Sequence, residues 1–163
     1  MRAPVTHLAA IAAFCCGALL AIGSREPAPA FRARTLDGEE FNNESLKGKV
    51  VLLQFWTTWC PYCRKDQDAV EALVRDFDAS GLVVLAVNVG ESKKKVKQYL
   101  ADSPRTCKIV LTADTNLAAL YAATSYPLYV LIDRDGNIAG QQDGAAGEAA
   151  LRRLLAKAGL RSE

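Results

Sequence analysis

Two cysteines three residues apart, set at the seam between an apolar run and a segment of helical period, constrain this chain more than any other feature. The run Val50-Val51-Leu52-Leu53-Gln54-Phe55-Trp56 reads as a buried strand, and Trp59-Cys60-Pro61-Tyr62-Cys63 follows after two threonines. With Cys60 at a helix N-terminus, the unpaired backbone N–H groups and the helix dipole favour its thiolate. Cys63, one turn further in, lies on the same side and can attack a mixed disulfide from within. Pro61 suits the first helical turn, which has no use for the missing N–H. Read this way, the pair opens and closes a disulfide.

Two other readings of the pair are weaker. Half of a zinc site needs two further ligands at sensible spacing. Outside the N-terminal leader only Cys107 remains of five cysteines, and the one histidine, His7, lies inside the leader. No metal and no cofactor are therefore expected. A purely structural disulfide over so short a loop constrains little of the unfolded chain. The histidine inventory also excludes Cys-His acyl transfer in the mature chain.

The length of 163 residues allows one domain plus a leader. The formal net charge of +2 is too small to argue for nucleic acid, and Lys93-Lys94-Lys95 reads as a solvated helix start. Residues 1–24 form a targeting segment, with Arg2 as the positive start and an apolar stretch from Leu8 to Ile22. That stretch is short for a full span, so a cleaved signal peptide and an uncleaved membrane anchor both stay open. Ala12-Ala13-Phe14 before Cys15-Cys16 lacks the small residue that usually precedes a lipidated cysteine. Either way the domain is expected outside the cytoplasm, in a periplasmic or other extracytoplasmic compartment that permits disulfides. Residues 25–30 read as a short stiff linker, and residues 31–163 as the domain.

Phe31 to Phe41 holds two extended pieces around an Asp37-Gly38 turn. A helix is predicted over Pro61 to Asp78, with Val70, Leu73, Val74 and Phe77 on its buried face and Gly81 as its cap. Leu82 to Val89 reads as a doubly buried parallel strand, which implies a right-handed crossover. Glu91-Ser92 opens a helix to about Ala101, and Lys108 to Leu111 is a short strand. Asp114 is expected to cap a helix that buries Leu117, Leu120 and Tyr121. Leu128 to Asp133 and Asn137 to Gln141 form a hairpin, followed by a helix from Gly147 to about Ala158 that buries Leu151, Leu154 and Leu155.

Phe55-Trp56-Thr57-Thr58-Trp59-Cys60-Pro61-Tyr62-Cys63 resembles the active-site segment of the thioredoxin superfamily. The order of elements agrees with that fold, an α/β arrangement with a central mixed sheet flanked by helices, here with a short N-terminal β extension. Val84-Leu85-Ala86-Val87-Asn88-Val89-Gly90-Glu91-Ser92 and Pro127-Leu128-Tyr129-Val130-Leu131-Ile132-Asp133-Arg134-Asp135-Gly136 are similar to segments of the exported ResA and TlpA type. The resemblance covers about residues 35–160.

It implies a thiol–disulfide oxidoreductase in which Cys60 is the nucleophile and Cys63 the less accessible resolving thiol. Pro127 matches the family's cis-proline, which presents the backbone of Tyr126 to an extended substrate. Trp59, Pro61, Tyr62, Tyr126 and Pro127 are the implied substrate contacts, and Trp56 packs beside the site. Tyr126 is bulkier than the residues usual there. Asp66, one turn after Cys63, stands where the ResA type carries a glutamate near the thiols, so it is a candidate proton acceptor. The alternative is a solvated acid that only complements the helix dipole. Gln54 occupies the place where many thioredoxins bury an aspartate, and a neutral amide cannot take up the proton of Cys63. Cys107 reads as a buried apolar thiol, with an intermolecular disulfide as the alternative.

The implied partners are a disulfide-bearing client, such as an apocytochrome c whose haem-attachment cysteines are kept reduced, and a membrane thiol donor. A monomer is expected, touching the membrane only through its N-terminal segment. The Pro61-Tyr62 dipeptide, familiar from glutaredoxins, points to a less reducing potential than a Gly-Pro pair. One rival is an exported oxidase or isomerase using the same cysteines. A rival of another class is a copper-binding metallochaperone with Cys60 and Cys63 as soft ligands; against it, the only methionine is Met1.

Overall fold

The computed structural model describes residues 25–161; the expected leader, with His7, Cys15 and Cys16, lies outside the described residues. The chain begins with β1 (Arg32–Thr35) and β2 (Glu40–Asn42), a hairpin across the expected Asp37-Gly38 turn, where Gly38 takes φ 91°. Then come β3 (Val50–Trp56), α1 (Pro61–Lys65), α2 (Gln67–Phe77), β4 (Leu82–Asn88), α3 (Lys93–Asp102) and β5 (Lys108–Thr115). The chain ends with α4 (Leu117–Leu120), β6 (Leu128–Ile132), β7 (Ile138–Asp143) and α5 (Gly147–Ala156). Seven strands form one sheet in the order β2-β1-β5-β4-β3-β6-β7. The β3–β4 and β4–β5 pairs are parallel, and β6, β7, β1 and β2 join antiparallel. The fold class is as expected: a mixed sheet flanked by helices.

β3 is central and buried along its whole length. Its alternate side chains therefore feed two apolar layers. Val50, Leu52 and Trp56 pack with Val70, Leu73 and Phe77 of α2 and with Leu151, Leu154 and Leu155 of α5. Val51, Leu53 and Phe55 pack on the other side with Phe31, Val87 and Leu117. Each such aliphatic or aromatic side chain taken from water contributes roughly 1.5–3 kcal/mol. The two layers hold the C-terminal end of β3 rigidly, and that end carries the cysteine motif.

Three expectations differ in detail. The helix predicted from Pro61 to Asp78 is broken at Asp66, which takes φ −91°, ψ 0° between α1 and α2. The cause is distant in sequence: Tyr129, Ala146 and Gly147 all donate hydrogen bonds to the Asp66 carboxylate. Asp114 does not cap a helix. Pairing of β1 with β5, Ala33 opposite Thr115, keeps the chain extended through Thr115, so Asn116 becomes the cap of a four-residue α4. Leu120, expected inward, is consequently exposed.

Residues 25–30, expected as a linker, are laid along the domain. Arg25 donates to Asp133 at 2.8 Å and to the Lys157 carbonyl at 2.9 Å. Ile138 N–H donates to Glu26 O, Ala28 N–H to Gly136 O, and the Asn43 amide to Pro29 O. In β6, Leu128 lies opposite Phe55 and Ile132 opposite Val51. Asp133 therefore sits at the Val50 end of the sheet, some five residues or about 17 Å from the end that carries Cys60. No helix among the described residues is long and apolar enough to cross a membrane.

Candidate active site

Cys60 and Cys63 form a disulfide with a Cα–Cα separation of 5.3 Å. Cys60 is the N-cap of α1, and its Sγ accepts the Cys63 N–H at 3.1 Å. Pro61 occupies the first helical turn, as its missing N–H allows. The Tyr126–Pro127 peptide is cis, and the Tyr126 carbonyl oxygen lies 3.5 Å from Cys60 Sγ. Trp59 and Tyr62 are 60% and 62% exposed, far more than large aromatics in a core, so both stand free on the surface beside the disulfide. The Trp59 ring meets Tyr126 edge-on at 6.1 Å.

Trp59, Cys60, Pro61, Tyr62, Cys63, Tyr126 and Pro127 thus converge at one end of the sheet. In the disulfide state Cys60 and Cys63 are equally buried, each 2% exposed, so exposure does not separate their roles. Their environments do. Cys60 Sγ receives a backbone N–H at a helix start, a stabiliser of thiolate. Cys63 lies one turn further in, within α1, and donates that N–H, while both cysteines join the apolar layer that holds Trp56 and Tyr129.

Asp66 is not a solvated acid, being 1% exposed. Its Oδ2 accepts from Tyr129 Oη at 3.1 Å and from Ala146 N–H at 2.7 Å, and its Oδ1 accepts from Gly147 N–H at 3.0 Å. Neither sulfur is among its hydrogen-bond partners. Tyr129 in turn accepts from Gln54 Nε2 at 3.2 Å, and Gln54 Oε1 accepts from Arg105 at 3.0 Å. Burial, then the neighbouring Asp66 charge, pushes the Tyr129 hydroxyl well up, so it stays a donor. Arg105 also lies over the Trp56 ring, 4.6 Å from its centroid, and Trp56 packs against Tyr99.

Tyr129, Arg105 and Glu91 were not singled out by the sequence. The Glu91 carboxylate accepts from Thr58 N–H at 2.6 Å, Thr58 Oγ1 at 2.7 Å and Asn88 Nδ2 at 2.7 Å, and pairs with Lys95 at 2.7 Å. Burial raises its pKa, but the hydrogen bonds from Lys95, Asn88 and Thr58 outweigh that and hold it down at about 2. Cys107 is the one free thiol among the described residues, and burial pushes it up to about 11. No group of three or more metal-ligating side chains occurs among the described residues.

The AhpC/TSA family profile matches residues 24–141. The chain is 37% identical over 115 residues to the thioredoxin-like protein YneN of Bacillus subtilis (strain 168), covering 69% of this chain and 67% of that protein. It is 33% identical over 119 residues to the thiol-disulfide oxidoreductase ResA of Geobacillus thermodenitrificans, covering 73% of this chain and 67% of the relative. The alignments thus span about two thirds of the relatives' length. A thioredoxin-family thiol:disulfide interchange protein from Chlorobium tepidum TLS superposes with a TM-score of 0.73 at 27% identity, over 83% of this chain and 97% of that one.

Proposed function

The chain belongs to the AhpC/TSA family as a thioredoxin-like thiol–disulfide oxidoreductase, and from that premise we propose that it is an exported reductant of client disulfides. In the reduced protein the Cys60 thiolate attacks a client disulfide. One client sulfur leaves as thiolate and takes a proton, and Cys60 is joined to the other. Cys63, deprotonated, then attacks Cys60 Sγ. The second client thiolate leaves, and the Cys60–Cys63 disulfide closes. Two electrons pass to the client, and a membrane thiol donor returns them. Asp66, one turn from Cys63 and equally buried, is the candidate acceptor for the Cys63 proton.

The observation that carries this reading is the placement of Cys60 Sγ between the Cys63 N–H and the Tyr126 carbonyl, beside two exposed aromatic rings. An extended client segment laid along Tyr126-Pro127 meets the sulfur there, with Trp59, Pro61 and Tyr62 as the rest of its contact. The ResA relatives are named thiol-disulfide oxidoreductases, which supports the exchange chemistry, and an extracytoplasmic role such as keeping apocytochrome c cysteines reduced is the reading that goes with the resemblance of the motif segments. Residues 1–24 supply export, either as a cleaved signal or as an anchor through residues 8–22, and the domain acts as a monomer.

The test is the reduction potential of the Cys60–Cys63 couple in a Cys107→Ser variant. A value near or below roughly −250 mV supports a reductant. A value near about −120 mV means an oxidant, and clients that gain disulfides.

A further inference from the structure

We propose that Glu91 is a positioning residue for thiol exchange, one that fixes the approach of the chain to Cys60. It stands 31 positions downstream of that cysteine and touches neither sulfur. Its carboxylate nevertheless grips Thr58 by two atoms at once, Oε2 on the backbone N–H and Oε1 on the hydroxyl. The Thr58 carbonyl is held as well, accepting from Arg64 at 3.4 Å. Thr58 is thus fixed at its amide, its side chain and its carbonyl. Only Trp59 separates it from Cys60.

The grip is itself anchored. Asn88, fully buried at the end of β4 and in register with Trp56 of β3, donates to Glu91 Oε2. Val89 N–H donates to the Trp56 carbonyl at 2.9 Å. Lys95, one turn into α3, supplies the countercharge at 2.7 Å. The Glu91 side chain is only 6% exposed, so its four donors compete with little water. A carboxylate offers an acceptor at both oxygens, as this convergence of donors demands. A glutamine would turn an amide nitrogen on one side, toward the Lys95 ammonium and the Thr58 hydroxyl or toward the Thr58 N–H and the Asn88 amide.

The consequence falls on Trp59 and Cys60. Trp59 is mostly exposed and, among the described residues, meets Tyr126 alone of the aromatic rings, so its own packing does little to place it. The fixed residues on either side must do so. Cys60 Sγ is useful only where it receives the Cys63 N–H and faces Tyr126, and a displacement of about 1 Å in such a site can cost a hundredfold in rate. This role rests on Cys60 being the attacking thiol.

The experiment compares the reduced full chain with Glu91→Ala, Glu91→Gln and Thr58→Ala, at a temperature where near-UV circular dichroism shows every variant folded. Two rates are read: reduction of an aromatic disulfide and of a protein disulfide, and alkylation of Cys60 by iodoacetamide. Glu91→Ala is expected to lower kcat/KM and the Cys60 alkylation rate together by roughly 10- to 100-fold. Glu91→Gln should fall less, and Thr58→Ala, which keeps the backbone N–H bond, least. A purely stabilising glutamate would lower Tm but leave both rates of the folded variants within about twofold of the parent, and that result overturns the proposal. Cys60→Ser separates the two levels: an inactive variant supports Cys60 as nucleophile, whereas retained activity removes that reading and this one with it.

Discussion

Tyr129 donates its hydroxyl hydrogen to Asp66 Oδ2 at 3.1 Å while accepting from Gln54 Nε2 at 3.2 Å. One phenol thereby ties the middle of β6, the middle of β3 and the break between α1 and α2. All three residues are essentially without solvent access, so none can replace a lost partner with water.

Tyr129→Phe keeps the ring and removes both bonds. The variant should be less stable by about 1–3 kcal/mol, because a buried amide and a buried carboxylate are each left one partner short. Urea unfolding checks this: the midpoint should fall with the slope unchanged. A change below about 0.5 kcal/mol would show the network to be idle.

Asp66→Asn tests the proton acceptor. The amide cannot take the Cys63 proton, so the mixed disulfide should persist and turnover should drop roughly a hundredfold. Alkylation of Cys60 should be little changed. Acid quenching and mass spectrometry of the trapped adduct measure its lifetime. Resolution at the parent rate would make Asp66 a structural anchor for the start of α5 and nothing more.

The broken helix at Asp66 shows where the sequence stopped being legible. Local period marked the buried faces of α2 and α5 correctly, because apolar spacing is a local property. The cysteine pair, its place at a helix start and the cis-proline were equally readable from contiguous motifs. The networks around Asp66 and Glu91 were not. The resemblance marks Asp66 as a candidate proton acceptor but not its three donors or the break in the helix, and Glu91 reads only as the opening of a helix. The partners of Asp66 lie 63, 80 and 81 positions away, and Thr58, which Glu91 grips twice, lies 33 positions away. Asp114 failed for a related reason: a strand at the far end of the alphabet of elements, β1, kept it extended.

Stability should respond to acid through Glu91. Its folded pKa lies near 2, below the ordinary value of 4.5. A depressed carboxylate contributes stability above its unfolded value and loses it as pH falls through the folded one. The stability difference between the parent and Glu91→Gln should therefore be flat from pH 7 to about 5. It should shrink from about pH 4.5 down through about pH 2, with a pH-dependent span on the order of 3 kcal/mol. Unfolding curves at stepped pH measure it; a difference that grows on acidification contradicts the assignment.

Cys107 should be silent in the folded protein. Burial pushes its thiol up to about 11, so at pH 8 almost none is thiolate. Iodoacetamide should label Cys60 of the reduced protein and reach Cys107 only after denaturant is added. Mass mapping of the labelled peptides decides it. Labelling of Cys107 at a rate comparable to Cys60 would show an opening that the packed thiol does not suggest.

The strap of residues 25–30 gives the domain a front and a back. Arg25 is fastened to Asp133 and Lys157 at the foot of the sheet, whereas the sulfurs stand at its head. The described chain thus enters the domain at the end of the sheet away from the disulfide, and residues 25–30 leave Trp59 and Tyr62 uncovered.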